Sequence, residues 1–98
     1  MEIEYASEQL KRLAKEVSFD GGYDRAIVRA YRMRIQLIEA AQDERAFRAM
    51  KSLHFEKLKG DMESLHSMRL NVQWRLILKF KKEETGKLVV VVSIMDYH

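Results

Sequence analysis

Hydrophobic and polar residues follow a helical period in the first half of this chain and a strand-like period in the second. Ser7 and Asp24 are both favourable helix N-cap residues, and apolar residues follow each at steps of three and four. The apolar stripe behind Asp24 consists of Val28, Tyr31, Ile35 and Ile38. We therefore predict one helix from Ser7 to Val17, a longer helix after Asp24, and a short third helix that begins at Asp43.

From His54 onward the period changes to two, which is typical of β-strands. Apolar residues alternate with polar ones over residues 67–72 and 74–81, and residues 83–86 are typical of a hairpin turn. Residues 88–95 form a nearly unbroken apolar run, as in a strand covered on both faces. With a short strand at residues 3–5, the order is β-α-α-(α)-β-β-β-β. It predicts an α+β fold with two to three N-terminal helices packed on one face of an antiparallel sheet.

Length and composition narrow the class of protein further. The chain has 98 residues, so we expect a single domain spanning residues 1–98. It has no cysteine, which excludes disulfides, thiolate metal sites and a cysteine nucleophile. We identify no signal peptide and no membrane span, so we expect a cytoplasmic protein. The formal net charge of +3 is compatible with a polyanionic partner but does not require one.

The strand alternation predicts a small cationic surface on the side of the sheet that the helices leave open. If the apolar side chains of the strands face the helices, Arg75 projects from the opposite face. Arg69 and Asn71 leave the neighbouring strand on the same side, and we expect Lys57 and Lys59 to border them. An ordinary solvated sheet face is the alternative interpretation of this pattern.

Four short motifs occur in a fixed order in the second half of the chain. They are Leu-Lys-Gly-Asp at 58–61, Ser-Met-Arg-Leu-Asn at 67–71, Gln-Trp-Arg-Leu at 73–76 and Asp-Tyr-His at 96–98. Together they resemble the HigB family of bacterial toxins, within the RelE/ParE superfamily. The resemblance extends over roughly residues 55–98 in its motifs and over the helical half only in length and layout.

The resemblance implies a RelE-like fold and ribosome-dependent cleavage of messenger RNA in the bacterial cytoplasm, with no metal or other cofactor. It also implies neutralisation by a HigA-like antitoxin of the helix-turn-helix class. The residues that match the family's catalytic positions are Lys59, Arg75, Asp96, Tyr97 and His98. The residues that we expect to bind RNA are Lys57, Lys59, Arg69 and Asn71.

Two positions depart from the family pattern. Glu56 stands where some members have a histidine, two residues before the Leu-Lys pair, and His54 lies out of register with that position. Asn71 and Val72 replace the usual Asn-Asp turn before Gln-Trp-Arg. The first departure leaves one catalytic contributor open, whereas the second is expected to affect only the hairpin.

The residue types suit metal-free RNA cleavage on chemical grounds. This reaction needs a base for the ribose 2′-OH, cations for the charge that develops on the phosphate, and an acid for the departing 5′-oxygen. His98 can be base or acid, and the nearby Asp96 and terminal carboxylate favour its protonated form, which argues for the acid role or for charge stabilisation. Arg75 and Lys59 suit a phosphate, and Tyr97 can stack on a base.

Other interpretations stay open at this point. A ParE-like protein that inhibits DNA gyrase without catalysis has no need of the terminal Asp-Tyr-His, and a structural RNA-binding domain needs it equally little. The row of Arg25, Arg29 and Arg32 indicates either a solvated helix face or a contact with antitoxin or ribosomal RNA. His66 is interpreted as a strand-surface residue. His54 and His66 with Asp61 make a weak metal pattern.

Overall fold

The structure, a computed structural model, describes residues 1–60, 64–84 and 86–96, and its elements follow the predicted order. The helical half contains β1 (Glu2–Tyr5), α1 (Glu8–Lys15), α2 (Arg25–Ala40), α3 (Arg45–Arg48) and a 3-10 turn (Lys51–Leu53). The strands that follow are β2 (Glu56–Lys57), β3 (Leu65–Arg69), β4 (Trp74–Glu83) and β5 (Gly86–Asp96). Thr85, part of the predicted hairpin turn, lies outside the described residues.

Both predicted N-caps are confirmed. The Ser7 hydroxyl accepts a hydrogen bond from the Leu10 amide at 3.2 Å, and the Asp24 carboxylate accepts one from the Ile27 amide at 3.0 Å. None of the helices in the described ranges is long and apolar enough to cross a membrane.

The C-terminal end of α1 differs from the prediction. The helix ends at Lys15, so Val17 lies beyond it with 89% of its surface exposed. The physical reason is that Arg32 of α2 donates to the Leu13 carbonyl at 2.9 Å and to the Glu16 carbonyl at 2.8 Å. These bonds satisfy carbonyl groups that a further helical turn would otherwise need.

The sheet has the strand order β1-β5-β4-β3-β2. Strands β2 to β5 form the predicted antiparallel meander, and the helices pack on one face of it. The sheet is nevertheless mixed, because β1 runs parallel to β5 at its edge. Three helices and the strands β2 to β4 lie between these two strands in the chain, which leaves ample length for the crossover that a parallel pair requires. The alternating pattern could not predict which neighbour such a short strand takes.

The core lies between the helices and one side of the sheet, here called the core face. The predicted stripe of α2 is buried, together with Ile27. The Tyr31 hydroxyl, inside this core, donates a hydrogen bond to the Leu10 carbonyl at 2.8 Å and so joins α2 to α1. The buried residues that complete the core include Leu13, Phe47, Met68, Leu76, Leu78, Val89 and Val91.

His66 lies on the core face rather than on the strand surface, which corrects the prediction. It pairs with Leu78 across β3 and β4, and directly paired residues share a face. Its ring stacks on Phe55 with centroids 5.1 Å apart and meets the edge of Phe80 at 5.1 Å. Burial lowers the pKa of His66, and the cations of Arg48 and Lys57 lower it further.

Candidate active site

The face of the sheet turned away from the core, here called the distal face, carries two adjacent rows of side chains. One row runs across the strands through Glu56, Ser67, Ile77 and Ser93. The next row consists of Arg69, Arg75 and Met95. Ser67 and Ile77 are 0% and 1% exposed, so this part of the first row is covered rather than open to solvent.

Arg69 and Arg75 lie directly opposite each other on β3 and β4, as the alternation predicts. Arg69 donates from Nη1 to His54 Nε2 at 3.1 Å and from Nε to the Asn71 carbonyl at 3.2 Å. Arg75 donates from Nη1 to the His54 carbonyl at 3.3 Å. Arg34 of α2 supports this end of β3 by donating to the Arg69 carbonyl at 3.0 Å. Both distal arginines therefore converge on His54.

The sequence left open whether His54 or Glu56 substitutes for the family histidine, and the structure shows that His54 contacts both arginines. It follows the 3-10 turn in the left-handed conformation, with φ 46° and ψ 47°, and this turns the chain toward β2. Because an arginine can only donate, Nε2 is the acceptor and the ring proton lies on Nδ1. The sequence signal that could have identified His54 is its position just before β2, the strand that pairs with β3. Spacing from the Leu-Lys motif placed it out of register.

Glu56 also lies beside the arginines. It pairs with Ser67, which puts it on the distal face, and its Oε1 is 4.0 Å from Arg75 Nη1. The Glu56 side chain is 56% exposed, whereas that of Arg75 is only 16% exposed. Among the described residues no group donates a hydrogen bond to the Glu56 carboxylate, so its lone pairs are available to a ligand.

One of the two predicted RNA-binding lysines does not lie with this cluster as expected. Lys57 pairs with His66 and therefore lies on the core face, which corrects the expectation that it borders the arginines. The register of a two-residue strand decides this placement, and the sequence does not reveal it. Lys59 is exposed beyond β2, and its ammonium has no ion pair or hydrogen bond within residues 1–60, 64–84 and 86–96.

Asn71 stabilises the hairpin between β3 and β4. Its Oδ1 accepts from the Gln73 and Trp74 amides, both at 2.8 Å, and its carbonyl accepts from Arg69. The side-chain oxygen is therefore engaged in the turn rather than available to RNA. Val72, which the alternation placed on a strand face, is in this turn and 83% exposed, because β3 ends at Arg69.

Asp96, the last described residue, lies at the end of β5. It pairs with Trp74, so the register places it on the core face, whereas Arg75 is on the distal face. Its Oδ2 accepts a hydrogen bond from Gln73 Nε2 at 3.1 Å. Tyr97 and His98, the two other predicted catalytic residues of the terminal motif, lie outside the described residues.

The arginine row of α2 divides into two kinds of residue. Arg32 is engaged with backbone carbonyls of Leu13, Glu16 and Phe19, at distances from 2.8 to 3.1 Å. It is therefore a structural residue. Arg25 and Arg29 are exposed.

The weak metal pattern is not assembled in the part of the chain that the structure describes. Those residues include no group of three metal-ligating side chains close enough to hold an ion. His54 contacts Arg69 of the distal face and His66 lies on the core face, so the two imidazoles are separated by the sheet. Asp61, the proposed third ligand, lies outside the described residues.

A family model described as the RelE-like toxin of the type II toxin–antitoxin system HigB matches residues 3–98. The chain belongs to this HigB-like toxin family. The resemblance found in its four motifs is thereby confirmed, and it extends over the helical half as well. A type II toxin has an antitoxin partner, so this HigB-like protein has one too.

Solved structures of other toxins share the fold. The YoeB/ParE toxin from Agrobacterium tumefaciens aligns with a TM-score of 0.62 at 16% identity, covering 100% of both chains. YafQ from E. coli strain BL21(DE3) aligns with a TM-score of 0.58 at 15% identity, covering 97% of this chain and 91% of YafQ. Among curated protein sequences there is no significant match. At these low identities the structural likeness confirms the predicted α+β fold. It does not show the chemistry, which has to be argued from the site residues.

Proposed function

We propose that this HigB-like toxin is an endoribonuclease that cuts messenger RNA on the ribosome and thereby inhibits translation. The observation that carries the proposal is the convergence of Arg69, Arg75, His54 and Glu56 on the distal face. Cations beside proton acceptors, on a face that the helices leave open, are the groups that metal-free cleavage of RNA needs.

In this mechanism Arg75 and Lys59 stabilise the transition state. As the 2′-oxygen bonds to phosphorus, extra negative charge develops on the phosphoryl oxygens. Arg75 has a guanidinium fork held by the His54 carbonyl and mostly shielded from water, so it is preorganised for those oxygens. Lys59 adds a flexible point charge from the segment after β2, and Arg69 binds a neighbouring phosphate.

We assign the general base to Glu56 rather than to His54. The lone pair of His54 Nε2 already accepts a hydrogen bond from Arg69, so this imidazole would have to lose that bond before taking a proton. The Glu56 carboxylate has no such donor among the described residues and is 56% exposed beside Arg75. A carboxylate can therefore occupy the role that a histidine has in other members of the family.

The C-terminal motif completes the proposed chemistry. Glu56 takes the 2′-OH proton, the 2′-oxygen attacks phosphorus, and the bond from phosphorus to the 5′-oxygen breaks. His98 gives a proton to that oxygen, which leaves a 2′,3′-cyclic phosphate and a 5′-hydroxyl end. Asp96 lies on the core face and Arg75 on the distal face, so the chain must turn after Asp96 for His98 to reach this oxygen. Tyr97 stacks on an RNA base. Lys57 and Asn71 have no direct contact with RNA in this scheme, because of their positions in the sheet and the turn.

We propose that residues 1–98 act as one cytoplasmic toxin domain without a cofactor and that a HigA-like helix-turn-helix antitoxin neutralises it. Blocking the distal face or preventing entry into the ribosome would suffice. The need for neutralisation follows from the proposed activity, since an unregulated nuclease of this kind stops protein synthesis in its own cell.

The experiment compares purified toxin on ribosomes programmed with a defined mRNA and on the same mRNA without ribosomes. We expect cuts only in the ribosome-bound message, with 5′-hydroxyl ends and cyclic phosphates. An intact message under both conditions contradicts the proposal. Inhibition of DNA supercoiling by gyrase, measured on the same preparation, would then support the ParE-like alternative.

A further inference from the structure

A cleft of about 390 Å³ lies between the N-terminal end of α2 and the start of β4. Its lining residues are Gly21, Gly22, Tyr23, Asp24, Ile27 and Trp74. A second cavity of about 230 Å³ shares Gly21 and Tyr23 with it and includes Phe19. The two cavities together therefore carry three aromatic side chains. Phe19 and Tyr23 come from the loop before α2, and Trp74 is the first residue of β4.

The two rings of the cleft are half-buried and held in a fixed arrangement. The centroids of Tyr23 and Trp74 are 5.8 Å apart and their planes are perpendicular, so each ring supports the other and keeps part of its surface accessible. Gly22 has a φ of 86° and open space where a Cβ atom would stand, so the opposite wall is bare backbone.

Acidic side chains near the cleft are engaged with the backbone. Asp20 Oδ1 accepts a hydrogen bond from the Gly22 amide at 2.9 Å, and Asp24 Oδ1 accepts one from the Ile27 amide. Arg25, the first residue of α2, is exposed next to Asp24. Both carboxylates keep their negative charge, so a base can enter the cleft only from a strand whose phosphates lie away from them, on the side of Arg25.

The cleft and the arginine cluster lie at the same end of the sheet. Trp74 and Arg75 are consecutive at the start of β4, and alternation sends their side chains to opposite faces. Trp74 pairs with Asp96, so the cleft also adjoins the end of β5, from which the terminal motif continues. A strand of RNA with one phosphate at Arg75 can pass over this end of the sheet and place a neighbouring base against Trp74.

We propose that the Tyr23–Trp74 cleft is a nucleobase subsite for single-stranded RNA, reached around the end of the sheet from the phosphate bound by Arg75. The inference rests on the proposed function and adds a second point of attachment for the substrate. Aromatic rings bind bases with little sequence preference, because every base has a π-face. The subsite therefore positions the message rather than selecting a codon.

Trp74 is the single tryptophan of the chain, so its fluorescence reports directly on the cleft. The probe is a short single-stranded RNA with 2′-O-methyl riboses, which cannot be cut. The control is an abasic oligonucleotide of the same length and charge. We expect the base-bearing RNA to quench Trp74 emission at least threefold more than the abasic one. Equal quenching, or none up to the solubility limit of the RNA, overturns the subsite.

Variants give a second readout on programmed ribosomes. We expect Trp74→Leu to raise the KM for mRNA cleavage about tenfold with little change in kcat, since stacking contributes to binding, and Trp74→Phe to restore the wild-type KM. Equal KM values for all three proteins overturn the subsite if thermal unfolding shows that they are folded. A wild type that cuts no RNA defeats the proposed nuclease, and the quenching experiment still decides whether the cleft binds bases.

Discussion

At the scale of single residues, the most informative feature is a pair of like charges. Arg69 and Arg75 face each other on neighbouring strands, an arrangement that destabilises a sheet unless other groups compensate. His54 accepts from both arginines, and Glu56 adds a carboxylate beside Arg75. These contacts compensate the two like charges, and in the proposed function the same arginines bind phosphate.

Replacing Glu56 with glutamine tests the assignment of the base. The amide keeps the shape of the side chain but cannot take a proton, so cleavage should slow by about 10²- to 10⁴-fold. Glu8→Gln, on the exposed side of α1, is the matched control and should retain the wild-type rate. Single-turnover cleavage rates of the three proteins decide this, and a wild-type rate in Glu56→Gln contradicts the assignment.

Replacing His98 with alanine tests the proposed acid. Loss of a proton donor should slow cleavage by about 10²- to 10⁴-fold, while thermal unfolding and antitoxin affinity stay close to wild type. Primer-extension mapping of mRNA cuts is the measurement. Cutting at the wild-type rate by His98→Ala would mean that the last residue is an ordinary solvated tail.

Residue-level prediction from the sequence succeeded where a residue's neighbours in the chain determine its position. Alternation placed Arg69 and Arg75 on the distal face, and the cap preferences of Ser7 and Asp24 were sufficient for both helix starts. It failed for His54, because its place depends on one left-handed residue and on contacts between strands distant in sequence. Such contacts do not produce a periodic pattern of hydrophobic and polar residues in the sequence.

At the scale of elements, α2 organises the molecule. One side of it fills the core, and Arg32 from another side closes the end of α1 through backbone carbonyls. Arg34 holds the end of β3, next to the candidate site. The start of α2 and its apolar stripe were predictable from the cap at Asp24 and a period of 3.6 residues. The end of α1 was not, because a side chain from another helix determines it.

Replacing Arg32 with methionine tests this link between helices. Removing charge-assisted hydrogen bonds to the Leu13, Glu16 and Phe19 carbonyls should lower the free energy of unfolding by about 2 kcal/mol. Arg29→Met is the matched control on the same helix, and its effect should stay within about 0.5 kcal/mol because the residue is exposed. Urea denaturation of both variants gives the comparison. Equal losses would show that the bonds to α1 contribute no specific stability.

At the scale of the whole molecule, the two faces of the sheet differ in the residues that they carry. The core face holds the apolar and aromatic residues, including His66, and the distal face carries the charged cluster. The overall α+β arrangement followed from the order of periods along the chain. The face on which Lys57 and His66 lie depends on strand register, which a sequence with few residues per strand does not reveal.

His66 makes stability depend on pH. Burial and the nearby cations of Arg48 and Lys57 lower its pKa in the fold, while Glu44 opposes them weakly. The folded state therefore prefers the neutral ring, so this contribution is complete above the unfolded pKa of about 6.5 and is lost as the pH falls toward the folded pKa. His66→Phe, which keeps the aromatic packing, should lose less stability than wild type between pH 7 and 5. Urea denaturation at several pH values is the measurement. An equal decrease in the free energy of unfolding of wild type and His66→Phe would contradict this prediction.

The most direct test of the central proposal is the rate of mRNA cleavage on programmed ribosomes by wild type, Arg75→Ala and Arg29→Ala. Both variants lose one arginine, so the net charge and general attraction to RNA change equally. If Arg75 stabilises the transition state, its variant should cut about 10²- to 10³-fold more slowly with its fold intact by circular dichroism. Arg29→Ala should match wild type. Equal rates for all three proteins, or equal losses in both variants, would contradict an active site on the distal face.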